Sequence, residues 1–404
     1  MTTRMSVPFN YPSIGQEEID EVVATLRSGW LTTGPRTARF EREFSDYAGA
    51  PHALALNSGT AAMHLALAAL GIGPGDEVIT TPLTFCATVN VIAQVGAQPV
   101  LADVGKDGNI SPESIEERIS SRTRAVIPVH LGGLPCDMDL IWALARKHGF
   151  SVVEDAAHAA GSHYRGRPIG FVGSGSELCS DAVAFSFYAT KNLTTGEGGM
   201  VTTGSQSLSE SMRRLSLHGI DRDAWQREDT ERSWYYEVRE CGFKCNLSDI
   251  LAAVGIHQLL KLEGFIRMRA AHAARYAELL GGVEEIELPP DRRTCRHSWN
   301  LYTIRLRPER LSIDRDEFIR ALRRRNVGSS VHFIPIPLHP YFATLPGARS
   351  WPCPNAMELY RRLVSIPLYP SMTEQQVVYV SDVVKEVVRS ARKSKPLAVG
   401  REIR

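Results

Sequence analysis

The stretch "AFSFYATKNLTTGEGGM", residues 184–200, begins like a buried strand, with Phe185 and Phe187 alternating with Ser186, and turns into a polar, glycine-rich loop carrying Lys191. The chain has 38 arginines and 8 lysines, and Lys191 is the only lysine between Lys147 and Lys244. A guanidinium stays charged, whereas an amine can lose its proton in a suitable pocket and attack a carbonyl. A lysine in a chain that mostly places arginine therefore suggests a nucleophilic amine; a solvated loop residue is the plain alternative.

Other polar residues stand where strands end. In "NSGTAAMHLAL" (57–67) a strand leads through Ser58, Gly59 and Thr60 into a helix, and the free N–H groups of a helix N-terminus suit a phosphate. An ordinary Ser/Thr cap would look the same. The stretch is neither a Walker A nor a G-x-G-x-x-G loop. In "VVEDAAHAAG" (152–161) an apolar strand ends in Glu154-Asp155, a fixed carboxylate that could hold the proton of a heteroaromatic nitrogen or simply cap a following helix. His158, three residues on, would sit beside such a ring. Phe85, in "TPLTFCATVN", can lie against a planar ligand or pack into the core. A phosphate cradle, an aromatic face, a ring-nitrogen carboxylate and an amine match the phosphate, ring, pyridine nitrogen and aldehyde of pyridoxal phosphate.

Short β-branched runs at 52–57, 76–80, 98–104, 125–130, 151–156 and 182–187 alternate with helical patterns at 61–70, 86–95 and 138–149, which predicts α/β units around a largely parallel sheet. Ligands of such sheets bind at the carboxyl ends of the strands, where these residues stand. From about residue 247 a long helical stretch precedes a strand in "WNLYTIRL", a helix in "DRDEFIRALRRRN", a strand in "GSSVHFI" and a helix in "TEQQVVYVSDVVKEVVRS", a smaller α+β unit. We divide the chain into an N-terminal arm (1–20), a large α/β domain (21–262), a small C-terminal α+β domain (263–392) and a flexible basic tail (393–404).

Composition narrows the classes of function. With 46 basic and 45 acidic residues the net charge is +1, which gives no global attraction to nucleic acid or membrane. Apolar stretches are broken before membrane-spanning length, and "MTTRMSVPFNYPSIG" has no signal-peptide core, so a cytoplasmic protein is expected. Seven scattered cysteines without a C-x-x-C predict free thiols and no metal site.

The ordered set "SGWLTTGP" (28–35), "SGTAAMHLAL", "GDEVITTPLTF", "PVHLGGLPCDMD", "EDAAHAAG", "FSFYATKNLTTGEGG", "GFKCNLSDILAAVGIHQL" and "VHFIPIPLHPYF" resembles the DegT/DnrJ/StrS family of sugar aminotransferases nearly end to end. The resemblance implies fold type I (aspartate aminotransferase-like) with a mostly parallel seven-stranded sheet, pyridoxal phosphate, and a homodimer with shared active sites. By motif it makes Lys191 the carbonyl-bonding amine, Asp155 the ring-nitrogen partner, His158 the neighbour of the phenolic oxygen and Phe85 the stacking residue. Ser58, Gly59, Thr60 and Ser186 would hold the phosphate, with Asn246 reaching it from the other subunit. Trp30, Thr32, Tyr188, Lys244 and His332 are candidate substrate contacts. Cys245 departs from the family, where an aromatic residue is common. Relatives with histidine for the lysine dehydrate their substrates; Lys191 favours transamination. The implied reaction moves an amino group, from glutamate, to a UDP- or dTDP-linked 4-keto sugar, since the stretches "LHGIDRDAWQR" (217–227) and "HSWNLYTIRL" (297–306) most resemble enzymes that aminate carbon 4. A 3-keto sugar, a keto-cyclitol and a catalytically silent scaffold are the alternatives.

Overall fold

The structure is a computed structural model that describes residues 5–173, 179–221, 235–292, 294–345 and 352–393. Most of the tail set off above, and part of "LHGIDRDAWQR" (217–227), therefore lie outside the described residues.

Two helices, α1 (Gln16–Ser28) and α2 (Pro35–Ala48), precede an alternating series: β1 (His52–Leu56), α3 (Gly59–Ala69), β2 (Glu77–Thr80), α4 (Ala87–Gln94), β3 (Gln98–Leu101), α5 (Pro112–Glu116), β4 (Thr123–Ile127), α6 (Met138–His148) and β5 (Ser151–Asp155). Two short strands, β6 (His163–Tyr164) and β7 (Arg167–Pro168), then lead to β8 (Ala182–Ser186), β9 (Gly199–Thr203) and α7 (Gln206–Ser216). Seven strands form one sheet in the order β1-β9-β8-β5-β4-β2-β3. All pairs from β8 to β3 are parallel, and β9 alone runs against its neighbours. Parallel neighbours need crossovers, which is why helices separate most of these strands.

Both faces of the sheet are covered. Val183 and Phe185 of β8 join Phe40, Phe44 and Phe187 in one cluster, while Ala182 and Ala184 face Leu65, Leu67 and Val91 in another. This is the period-two alternation of a strand buried on both sides.

The 32-residue helix α8 (Asp249–Leu280) leads into β10 (Ile286–Glu287), β11 (Cys295–Arg296), β12 (Tyr302–Leu306), α9 (Arg315–Arg323), α10 (Pro354–Arg362), β13 (Leu363–Ile366) and α11 (Glu374–Ala391). Its Ile256, Leu259, Leu262 and Ile266 pack in the sheet cluster. Its Ala273, Tyr276 and Leu280 pack in a second cluster with Tyr302, Phe318 and Val384. One rod thus serves two cores. Asp249, its first residue, accepts hydrogen bonds from the N–H groups of Gly34, Arg36 and Thr37, so it closes the open end of α2 as well.

The strand expected in "GSSVHFI" is instead an extended segment joined by single bridges, Ser330 to Ser365 and, just before it, Val327 to Val7. Its pattern is strand-like, but Gly328 lies against the backbone of Phe9 so closely that a Cβ would come within 2.4 Å of that nitrogen, and no full ladder forms. Among the described residues, no helix is long and apolar enough to cross a membrane, and no group of three or more His, Cys, Asp or Glu side chains clusters as a metal site would.

Candidate active site

A cavity of about 490 Å³ opens at the carboxyl ends of the parallel strands and is lined by residues of both cores. Asp155, Ser186 and Lys191 reach it from the ends of β5 and β8, Ser58, Gly59 and Thr60 from the start of α3, and His332, Phe333 and Leu368 from the C-terminal unit. Phe85, His158 and Tyr188 complete the set of sequence-derived residues that meet here.

The start of α3 is built for close approach. A Cβ on Gly59 would lie 2.9 Å from Cβ of Ser186, and one on Gly199 would lie 2.5 Å from the Gly59 nitrogen, so β8, β9 and the helix end meet only because both positions are glycine. Ser58 is an ordinary cap, its hydroxyl accepting from the Ala61 N–H at 3.0 Å. That leaves the N–H groups of Gly59 and Thr60, two residues that line the cavity, without an acceptor among the described residues. Two open amides at a helix N-terminus, beside Ser186, fit a phosphate.

Asp155 is buried, its Oδ2 accepting from the Thr88 hydroxyl at 2.8 Å and its Oδ1 from the Ala157 N–H at 3.1 Å. Burial raises its pKa; the two hydrogen bonds and the Lys191 charge oppose that rise. Lys191 is pushed down to about 8, chiefly by desolvation, with the Asp155 carboxylate acting in the other direction. An amine near that value carries a usable fraction of its neutral form at neutral pH.

His158 is held well below the ordinary imidazole range by burial and then by Lys191. The Gly132 N–H donates to its Nδ1 at 3.2 Å, so the neutral ring carries its proton on Nε2. Phe333 stacks on His158 with centroids 5.7 Å apart and planes 13° from parallel, and lies 6.0 Å from Phe85. Phe85 is 59% exposed, so it is a wall of the cavity and no part of the core. His332 stacks on Phe9 and is lowered to about 4 by burial first and Lys191 second.

Trp30, Thr32, Lys244 and Asn246 do not line this cavity. Asn246 donates to the Thr33 hydroxyl at 2.6 Å and is bonded by the Lys244 amine, the Trp30 indole N–H donates to the Thr33 carbonyl, and the Thr32 carbonyl accepts from the Asp249 N–H. These four make a separate polar cluster at the α2–α8 junction. Sequence reasoning missed Thr88, Phe9, Asn10, Asn300 and Phe333. For Thr88 a signal existed, since it stands one turn after Phe85; the others are brought in by tertiary packing alone.

The chain matches the model of the DegT/DnrJ/EryC1/StrS aminotransferase family over residues 12–385. It is 48% identical over 387 residues to the spore coat polysaccharide biosynthesis protein SpsC of Bacillus subtilis, an alignment covering 95% of this chain and 98% of that one. Among solved structures it is similar to the putative sugar aminotransferase Spr1654 of Streptococcus pneumoniae in its PLP form (33% identity, TM-score 0.86, 96% of this chain and 99% of that chain). It is also similar to Helicobacter pylori PseC, an aminotransferase involved in the biosynthesis of pseudoaminic acid (28% identity, TM-score 0.87, 96% and 100%). Phosphate cradle, buried carboxylate and low-pKa amine thus stand in one cavity of a fold shared along the whole chain with these enzymes, and the protein belongs to the DegT/DnrJ/EryC1/StrS family as a pyridoxal-phosphate-dependent sugar aminotransferase of fold type I.

Proposed function

We propose that the enzyme transfers an amino group from L-glutamate to a UDP- or dTDP-linked 4-keto sugar in the cytoplasm, for the synthesis of an amino sugar of a surface glycan. The observation that carries the aminotransferase chemistry is the meeting of Lys191 and Asp155 in a cavity that the open helix end at Gly59 and Thr60 also lines. The names of SpsC and PseC, which concern a coat polysaccharide and pseudoaminic acid, support the sugar side of the reading.

Pyridoxal phosphate, when bound, supplies the electron sink that makes the donor's α-hydrogen acidic. The residues of the chain do the rest. The amides of Gly59 and Thr60 and the hydroxyl of Ser186 would hold the phosphate, and Phe85 would cover one face of the ring. Asp155, whose anionic form its two donors favour, would accept the pyridine N–H and so keep that nitrogen protonated. Lys191 would hold the aldehyde carbon until the donor amine takes its place, and its freed amine would then carry the proton taken from the donor's α-carbon. The second half-reaction is the first run in reverse on a different carbonyl compound, so the same amine would serve both, first with the donor and then with the keto sugar.

We assign the cluster of Trp30, Thr32, Lys244 and Asn246 to the cavity of a second subunit in a homodimer, where Asn246 meets the phosphate and Lys244 an anionic part of the nucleotide. Tyr188 and His332, which line the cavity of their own chain, contact the acceptor sugar.

The test is the visible spectrum of the purified protein with pyridoxal phosphate, before and after glutamate. The expected result is an absorption band that glutamate bleaches, its absence in Lys191→Ala, and a fall in turnover of at least about 100-fold in that variant. A Lys191→Ala protein that transaminates at the wild-type rate overturns the assignment. A panel of 3-keto sugars, 4-keto sugars and keto-cyclitols then identifies the acceptor.

A further inference from the structure

Asp155 is served by more than one hydroxyl. Thr88, on the first turn of α4, donates to Oδ2 at 2.8 Å, and the Thr88 oxygen is itself 2.8 Å from the hydroxyl of Thr84. Both threonines are buried, at 0% and 1% exposure. A hydroxyl has one hydrogen; with Asp155 ionised, that of Thr88 is committed to the carboxylate, and Thr84 is then the donor in the second contact. The hydrogens therefore run in one direction, Thr84 to Thr88 to Asp155. This order suits a carboxylate. With a neutral carboxylic acid whose proton sits on Oδ2, the chain would have to reverse.

We propose that Thr84 and Thr88 form a directional hydroxyl relay that keeps Asp155 ionised and aimed at the ring nitrogen of the cofactor, which makes them positioning residues for the transamination. The proposal rests on the reading of Asp155 given above. Burial alone would favour the neutral acid, which donates a proton where the pyridine N–H needs an acceptor. The relay counters this from the side of α4, while the Ala157 N–H counters it from the turn after β5. The titratable groups around Asp155 are Lys191 in the loop after β8, His158 in the same turn, and His130, Glu154 and Cys136 behind the strands. None of them is altered by changing a threonine to its isostere valine.

The experiment is the dissociation constant of pyridoxal phosphate as a function of pH, by fluorescence quenching, for wild type, Thr88→Val, Thr88→Ser, Thr84→Val and Asp155→Asn. A hydrogen bond to a charged group is worth roughly tenfold in such an equilibrium. The expected result is that affinity in Thr88→Val is lost on the acid side at a pH about one unit higher than in wild type, because a carboxylate deprived of a donor takes up a proton more readily. Thr88→Ser should restore the wild-type profile, and Thr84→Val should give a smaller shift in the same direction. A purely structural role predicts a uniform loss at every pH, and either that result or a Thr88→Ser variant that behaves like Thr88→Val overturns the relay. Asp155→Asn separates the two levels of the argument. If it binds with the wild-type profile, the reading of Asp155 fails and the relay with it; if it loses affinity while Thr88→Val matches wild type, the relay alone fails. Thermal unfolding of the cofactor-free variants, expected to remain a single cooperative transition, confirms that each is folded.

Discussion

Lys191 is a group whose chemistry costs stability. Its unfolded amine titrates near 10.5 and its folded amine near 8. Above 10.5 the amine is neutral in both states and burial carries no charge penalty. As the pH falls from 10.5 toward 8 the unfolded chain gains a proton that the folded chain refuses, so stability is progressively lost, and below 8 the loss is complete. Replacing Lys191 with Met should therefore stabilise the cofactor-free protein at pH 7 by up to about 3 kcal/mol. The gain should shrink as the pH approaches 10, and urea denaturation at pH 7 and 9.5 measures the difference. Equal gains at both values would mean that the amine is not desolvated.

At the scale of elements, the cradle depends on β8, β9 and α3 meeting without side chains between them. A methyl on Gly199 would fall within 2.5 Å of the backbone of Ser58 and Gly59, which no rotamer can relieve. Gly199→Ala should push the helix end away, lower stability by about 1–3 kcal/mol, and weaken binding of pyridoxal phosphate more than binding of a cofactor analogue lacking the phosphate. Parallel titrations of the two ligands check this. The sequence made the parallel strands legible because each is a short apolar run next to an amphipathic helix. It hid β9, whose Gly199-Met200-Val201-Thr202-Thr203 follows a glycine-rich loop and reads as its continuation. It also hid α2, where Arg and Glu crowd a narrow apolar face, and it suggested a ladder at 328–334 where only single bridges form. Lys191, Asp155 and Gly59 were readable because strand ends mark where ligands bind. Phe9 and Phe333 were not, since their neighbours in space lie hundreds of positions away in the chain.

At the scale of the whole molecule, the two clusters of proposed site residues are separate within one chain, and this gives the dimer proposal a direct test. Lys191→Ala and Asn246→Ala proteins should each be inactive alone. Mixed and allowed to exchange subunits, they should recover activity, because half of the resulting pairs then hold one site with both natural residues, about a quarter of all sites. No recovery from subunits shown to exchange would mean that both residues serve the site of their own chain, and would overturn the shared-site proposal. The amino-terminal residues that line the cavity, Phe9 and Asn10, raise a question of timing. Val7 pairs with Val327 and Phe9 stacks on His332, so these residues near the amino end rest on a segment that emerges about 320 positions later. At ~5–20 residues per second the ribosome needs roughly 16–64 s to make that span. During this interval the amino end has no seat and the cavity lacks a side, so the cofactor is expected to be captured only when synthesis of the chain is nearly finished.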